Sequence, residues 1–130
     1  MIASNSKDNR NTVDGAVVSS IGRGLCVLVG IKEGDSDADA DYIVKDISGE
    51  ILSEAVSQFT LFAKTAKGNK PDFHLAMKSA SSKEFYDQFL AKLQAAYEPT
   101  KIKDGVFGAM MVVDIANDGP VTIIIDTEDK

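Results

Sequence analysis

The stretch GLCVLVGI, Gly24 to Ile31, constrains this chain's fold more than any other. It is a short, unbroken apolar run punctuated by glycines, with no polar residue to mark a solvent face. Such a run reads as a β-strand buried on both faces, so other segments must cover it from each side. A length of 130 residues suffices for one domain with a real core, taken as residues 1–130, and is too short for two. Apolar residues make up 44% and charged residues 26%, an ordinary globular balance.

The segments around the run supply its covers. TVDGAVVSS reads as a hairpin, with Asp14-Gly15 as a type I′ turn signal. DSDADADYIVKDI predicts a helix that Asp35 or Ser36 caps. Its aspartates suit the positive end of the helix dipole, and Ala40, Ile43, Val44 and Ile47 share one face. Ile51 to Phe62 reads as a strand region. SSKEFYDQFLAKLQAAYEP predicts the clearest helix, with Ser81 and Glu84 at capping-box spacing, Phe85, Phe89, Leu93 and Ala96 on one face, and Pro99 as its end. MMVVDI and VTIIID read as two strands joined by a tight turn at ANDGP. Strands interspersed with helices and hairpins predict an α+β fold with a mixed sheet and two main helices.

Most catalytic templates fail on residue counts. One histidine and one cysteine make a zinc site improbable, and no metal is expected. Phosphate-binding glycine loops and the GxSxG elbow are missing; GRG at Gly22–Gly24 is too short. His74 lies between Phe73 and Leu75 in a loop, a weak basis for a Ser–His–Asp triad. No apolar run approaches the roughly 20 residues of a membrane span, and the polar start MIASNSKDNRN lacks the core of a secretory signal. Cys26 has no partner for an internal disulfide, so a reducing compartment, the cytoplasm, is expected. The net charge of −6 opposes unselective binding to nucleic acid. Lys64, Lys67 and Lys70 nevertheless form a local basic patch free of acids.

Two stretches resist a purely structural reading. In VSQFTL, alternation sends Ser57, Phe59 and Leu61 to one face of a strand and Gln58, Thr60 and Phe62 to the other. An amide and a hydroxyl then stand side by side next to an aromatic ring. In NDGPVT, Pro120 cannot donate to a sheet, and Gly119-Pro120 is a place where a cis bond or an exposed carbonyl is cheap.

VSQFTL and NDGPVT, with KGNKPDFH and GVFGAMM between them, resemble the D-aminoacyl-tRNA deacylases. The likeness extends to TVDGAVVSSIGRGLCVLVGI and DADYIVKDI, so it covers most of the chain. It implies a barrel-like mixed sheet and a cytoplasmic homodimer that needs no cofactor. The reaction implied is hydrolysis of the ester between a D-amino acid and the 3′ end of tRNA. By carry-over, Ser57, Gln58, Phe59 and Thr60 form the floor of the pocket for the terminal adenosine and its aminoacyl group, and Phe107 and Met111 line it. The resemblance implies that Gly119-Pro120 is cis and enters the partner's pocket, where it rejects L-aminoacyl groups sterically; glycyl-tRNA has nothing for that wall to reject. Thr60 reads as a positioning group, since nothing nearby would deprotonate it. Lys64, Lys67 and Lys70 are placed near the pocket mouth, facing tRNA phosphates.

The chain departs from that family in two places. Members open directly on a strand, whereas MIASNSKDN is polar and reads as a poor one. Members also carry a longer connection after the first helix, whereas here VKDI passes almost at once into SGEIL. The alternative to an active enzyme is therefore a non-catalytic RNA-binding relative that has lost turnover.

Overall fold

In a computed structural model, residues 2–50, 53–66 and 68–129 are described, with the backbone alone for residues 2–6 and Glu50. Six strands and two helices follow in the order β1 (Ile2–Val13), β2 (Ala16–Ile21), β3 (Gly24–Gly30), α1 (Asp37–Glu50), β4 (Glu54–Thr60), α2 (Ser79–Ala96), β5 (Ile102–Asp104) and β6 (Met111–Ile124). They form one mixed sheet ordered β2-β1-β3-β4-β5, with β6 on the other side of β1. β3, β4 and β5 run parallel, and the pairings of β1 are antiparallel. The α+β expectation holds. Among the described residues no ladder joins β5 to β6, so the sheet stays open instead of closing as a barrel.

The polar start of the chain is a strand after all. β1 pairs with β6 from Ile2 to Val13, and on its other side with β3 at Ile2–Ser6 and β2 at Asn9–Val13. Backbone groups bonded on both sides need no apolar side chains to favour extension. The Asp14-Gly15 turn between β1 and β2 has positive φ at both residues, 49° and 79°, as a type I′ hairpin requires.

β3 is buried on both faces, as its sequence demands. Val27 and Val29 meet α1 and α2, while Cys26 packs with Ile21 and Val56 on the opposite side. The helices dock through Ala40, Ile43, Val44 and Ile47 of α1, as expected, and through Tyr86, Phe89, Leu90 and Leu93 of α2. Full burial of each large side chain contributes about 1.5–3 kcal/mol. Lys92 of α2 bonds Asp37 and Asp41 at 3.1 and 2.7 Å, so the aspartate-rich start of α1 is held from across the helix pair.

Several boundaries differ from expectation. α2 begins at Ser79 after Lys78, so Ser81 and Glu84 are not its capping box; Ser82 Oγ donates to the Ser79 carbonyl inside the first turn. Ala96 is exposed, and Pro99 opens a separate 3₁₀ turn. At α1, Asp39 accepts from the Ser36 backbone N–H and hydroxyl, half of a capping box. The β4 strand starts at Glu54, and Ile51 and Leu52 of the expected strand lie outside the described residues. MMVVDI and VTIIID belong to one strand, because β1 runs beside both. The NDGP segment is a bulge in it, with Asp118–Val121 standing opposite the single residue Asn5.

Candidate active site

The parallel neighbours β3 and β5 fix β4 on both edges, so its alternation is rigidly expressed. Ala55, Ser57 and Phe59 face the helices; Val56 and Gln58 face the other way. At its C-terminal end opens a cavity of about 490 Å³, walled by β4, α2 and the turn from Gly105 to Met111. Gln58, Phe59, Thr60, Phe107 and Met111 all line it, so residues up to 53 positions apart in sequence converge there.

Aromatic rings form its inner wall. The Phe59 and Phe107 centroids lie 4.6 Å apart, and Tyr86 sits 6.1 Å from the first and 6.0 Å from the second. Such contacts add about 0.5–1.5 kcal/mol beyond burial. Gln58 is only 3% exposed, and its Nε2 has no hydrogen-bond acceptor among the described residues. Gly105 makes room for that amide: a Cβ there would lie 2.8 Å from Gln58 Oε1 and 2.6 Å from Met111 Sδ. Ser57 lies deeper, fully buried, with its Oγ 2.7 Å from the Tyr86 hydroxyl. Tyr86 is the one titratable side chain among the described lining residues, and burial raises its pKa far above the ordinary phenol value, so it stays neutral. Thr60 stands exposed at the rim. An amide donor, aromatic walls and no ionised group suit binding a flat base and polarising a carbonyl better than abstracting a proton.

The other candidates lie elsewhere. Lys64 pairs through its backbone with Asp72, and its Nζ lies 3.7 Å from Glu128, which Lys32 also bonds. Lys70 is exposed in the following loop, and Lys67 falls outside the described residues. His74 Nδ1 is 2.6 Å from an Asp72 carboxyl oxygen on the surface. None of the described residues Lys64, Lys70 and His74 lines the cavity. The Gly119-Pro120 bond is cis, as the resemblance implied, and both residues are exposed on the β6 bulge, away from this chain's own cavity. The neighbouring Asp118 pairs with Arg23 at 3.2 Å. A smaller cleft of about 100 Å³, between Lys32, Asp35, Phe62 and Phe85, carries none of the candidate site residues.

Sequence reasoning missed Tyr86, Ser82 and Gly105. Ser82, Tyr86, Phe89 and Leu93 are spaced by four, three and four, the period of a buried helix face. A serine and a phenol hid that face behind the more apolar Phe85.

A family model described as D-Tyr-tRNA(Tyr) deacylase matches residues 4–49 and 42–126. The chain is 47% identical over 145 aligned positions to a D-aminoacyl-tRNA deacylase of Yarrowia lipolytica, covering 94% of this chain and 93% of that one. It is 48% identical over 139 positions to a D-aminoacyl-tRNA deacylase of Drosophila melanogaster, covering 92% and 86%. The first alignment is longer than the 130 residues present, so that relative carries residues this chain lacks, in keeping with the short link between α1 and β4. Among solved structures, one described as c-Myc DNA Unwinding Element Binding Protein superposes with a TM-score of 0.91, at 38% identity over 97% of each chain.

Proposed function

The chain belongs to the D-Tyr-tRNA(Tyr) deacylase family, and from that premise we propose how its cavity works. The reaction is hydrolysis of D-aminoacyl-tRNA. Water adds to the ester carbonyl carbon, the bond to the ribose oxygen breaks, and a free D-amino acid and tRNA with an intact 3′ end leave.

One observation carries the mechanism: the buried amide of Gln58, whose N–H has no acceptor among the described residues, belongs to the wall of the cavity that Phe59 and Phe107 also line. The terminal adenine stacks against those rings. The ester carbonyl oxygen accepts a hydrogen bond from the Gln58 amide N–H, and from backbone N–H groups near Phe59 and Thr60, as negative charge develops on it. One such desolvated donor contributes about 3 kcal/mol. An ester is activated enough to need no side-chain base; the adjacent 2′-hydroxyl of the RNA accepts the proton of the attacking water as it gives its own to the leaving 3′-oxygen.

Handedness is read by a second copy of the chain. The corner at Gly119 and Pro120 is exposed on the β6 bulge; on entering a partner's cavity it would occupy the space an L side chain needs. Val112, Ile115, Val121, Ile123 and Ile124 leave exposed apolar side chains on both faces of β6, area that a homodimer would cover in part. Glycine offers nothing for the corner to reject, so glycyl-tRNA is also a substrate. Exposed Lys70 is available to the acceptor-stem phosphates, whereas Lys64 is engaged by Glu128. The cytoplasm, which keeps the buried Cys26 thiol reduced, is the compartment.

Purified protein incubated with D-tyrosyl-tRNA and with L-tyrosyl-tRNA tests this reading. Release of tyrosine from the D form alone supports it. Binding of tRNA without release would instead assign the chain to the non-catalytic alternative.

A further inference from the structure

We propose that Tyr86 is a positioning residue for deacylation, acting through its hydroxyl on Ser57 and through its ring on Phe59 and Phe107. The proposal rests on the reading of the Gln58 cavity as the reacting site. Three contacts carry it. The Tyr86 hydroxyl is 2.7 Å from Ser57 Oγ, and both residues are almost wholly buried, at 3% and 0% exposure. Its ring meets Phe59 edge-on at 6.1 Å and lies 6.0 Å from Phe107. Tyr86 thus touches both the strand that forms the cavity floor and the turn that forms its wall.

The consequence follows from adjacency. Ser57 and Gln58 are successive residues of β4, so a bond that fixes Ser57 from the helix side fixes the height of the Gln58 amide on the other side. Phe107 sits in a turn whose internal backbone bond runs from Ala109 N–H to the Val106 carbonyl at 3.1 Å, and its ring is placed by Phe59 and Tyr86. Catalysis by positioned donors is sensitive to such placement, since small displacements of a reacting group cost up to about 100-fold in rate. Burial keeps the phenol protonated, so its part is geometric and not acid–base.

Steady-state hydrolysis of D-tyrosyl-tRNA by Tyr86→Phe, Ser57→Ala and the double variant, with thermal melts of each, tests this. Each single change is expected to lower kcat about tenfold with KM within about twofold of the wild type. The pH–rate profile should keep its shape. Either single change leaves one buried hydroxyl unpaired and lowers Tm; removing both restores Tm toward the wild type. In the double variant kcat should stay low, no lower than in the singles. Wild-type kcat in Tyr86→Phe, or recovery of kcat together with Tm in the double variant, overturns the proposal and leaves the cavity reading standing. A wild-type chain that releases no D-tyrosine overturns both.

Discussion

Gly105 stands so close to Gln58 that a methyl group on its Cα would come within 2.8 Å of the Gln58 amide oxygen and 2.9 Å of the nitrogen. The backbone there does not require glycine, since no left-handed φ accompanies it. The space is reserved by the site. Gly105→Ala is therefore expected to displace the amide and the Met111 thioether, lowering the rate of D-aminoacyl-tRNA hydrolysis about 10- to 100-fold. A urea midpoint close to wild type should accompany the loss, and wild-type turnover would show that Gln58 does not need its place.

Gly24 answers to a different neighbour. A Cβ on it would lie 2.0 Å from the Glu54 carbonyl oxygen, a backbone atom held in the parallel pairing of β3 and β4. Gly24→Ala is expected to cost about 3 kcal/mol or more, a large part of a typical margin of about 5–15 kcal/mol. Chemical denaturation reads that loss directly.

Ile124 is 73% exposed near the end of β6, where Val121 and Ile123 are exposed as well. Ile124→Lys should leave the fold intact while converting the proposed dimer to a single 13.9 kDa chain in sedimentation, with loss of chiral selection. A wild-type chain that sediments as a monomer would remove the need for a partner.

Glu128 ties the C-terminal turn to the end of β3. The hydrogen bond from Lys32, and then the charges of Lys32 and Lys64, hold its carboxyl below the ordinary glutamate value. With the folded-state pKa below the unfolded one, the unfolded chain binds more protons in acid. The pairing therefore adds stability at neutral pH and loses it as pH falls from about 4.3 through the lower folded value. Melting temperatures of the wild type and Glu128→Gln should differ at pH 7 and converge in acid; a constant difference would contradict the pairing.

The Asp14-Gly15 turn, the double burial of β3, the apolar face of α1 and the two faces of VSQFTL were all legible in the sequence. Each depends on alternation, helical period or turn chemistry within a dozen residues, so local spacing carries the information. The family resemblance named 58–60, 107 and 111, which the fold gathers at one cavity, and Ser57, which lies deeper behind it.

Long-range pairing decided the rest. IASNSKDN, from Ile2 to Asn9, becomes a strand because β6 bonds its backbone on one side and β3 part of it on the other, an outcome its own side chains do not encode. For the same reason NDGP is a bulge in one strand and not the turn of a hairpin, since β1 continues past it. Tyr86 enters the cavity, and Lys64 turns to Glu128, only once α2 and the C-terminal turn have docked. Local propensity sets which conformations a segment favours, whereas burial and hydrogen-bond partners from distant segments choose among them.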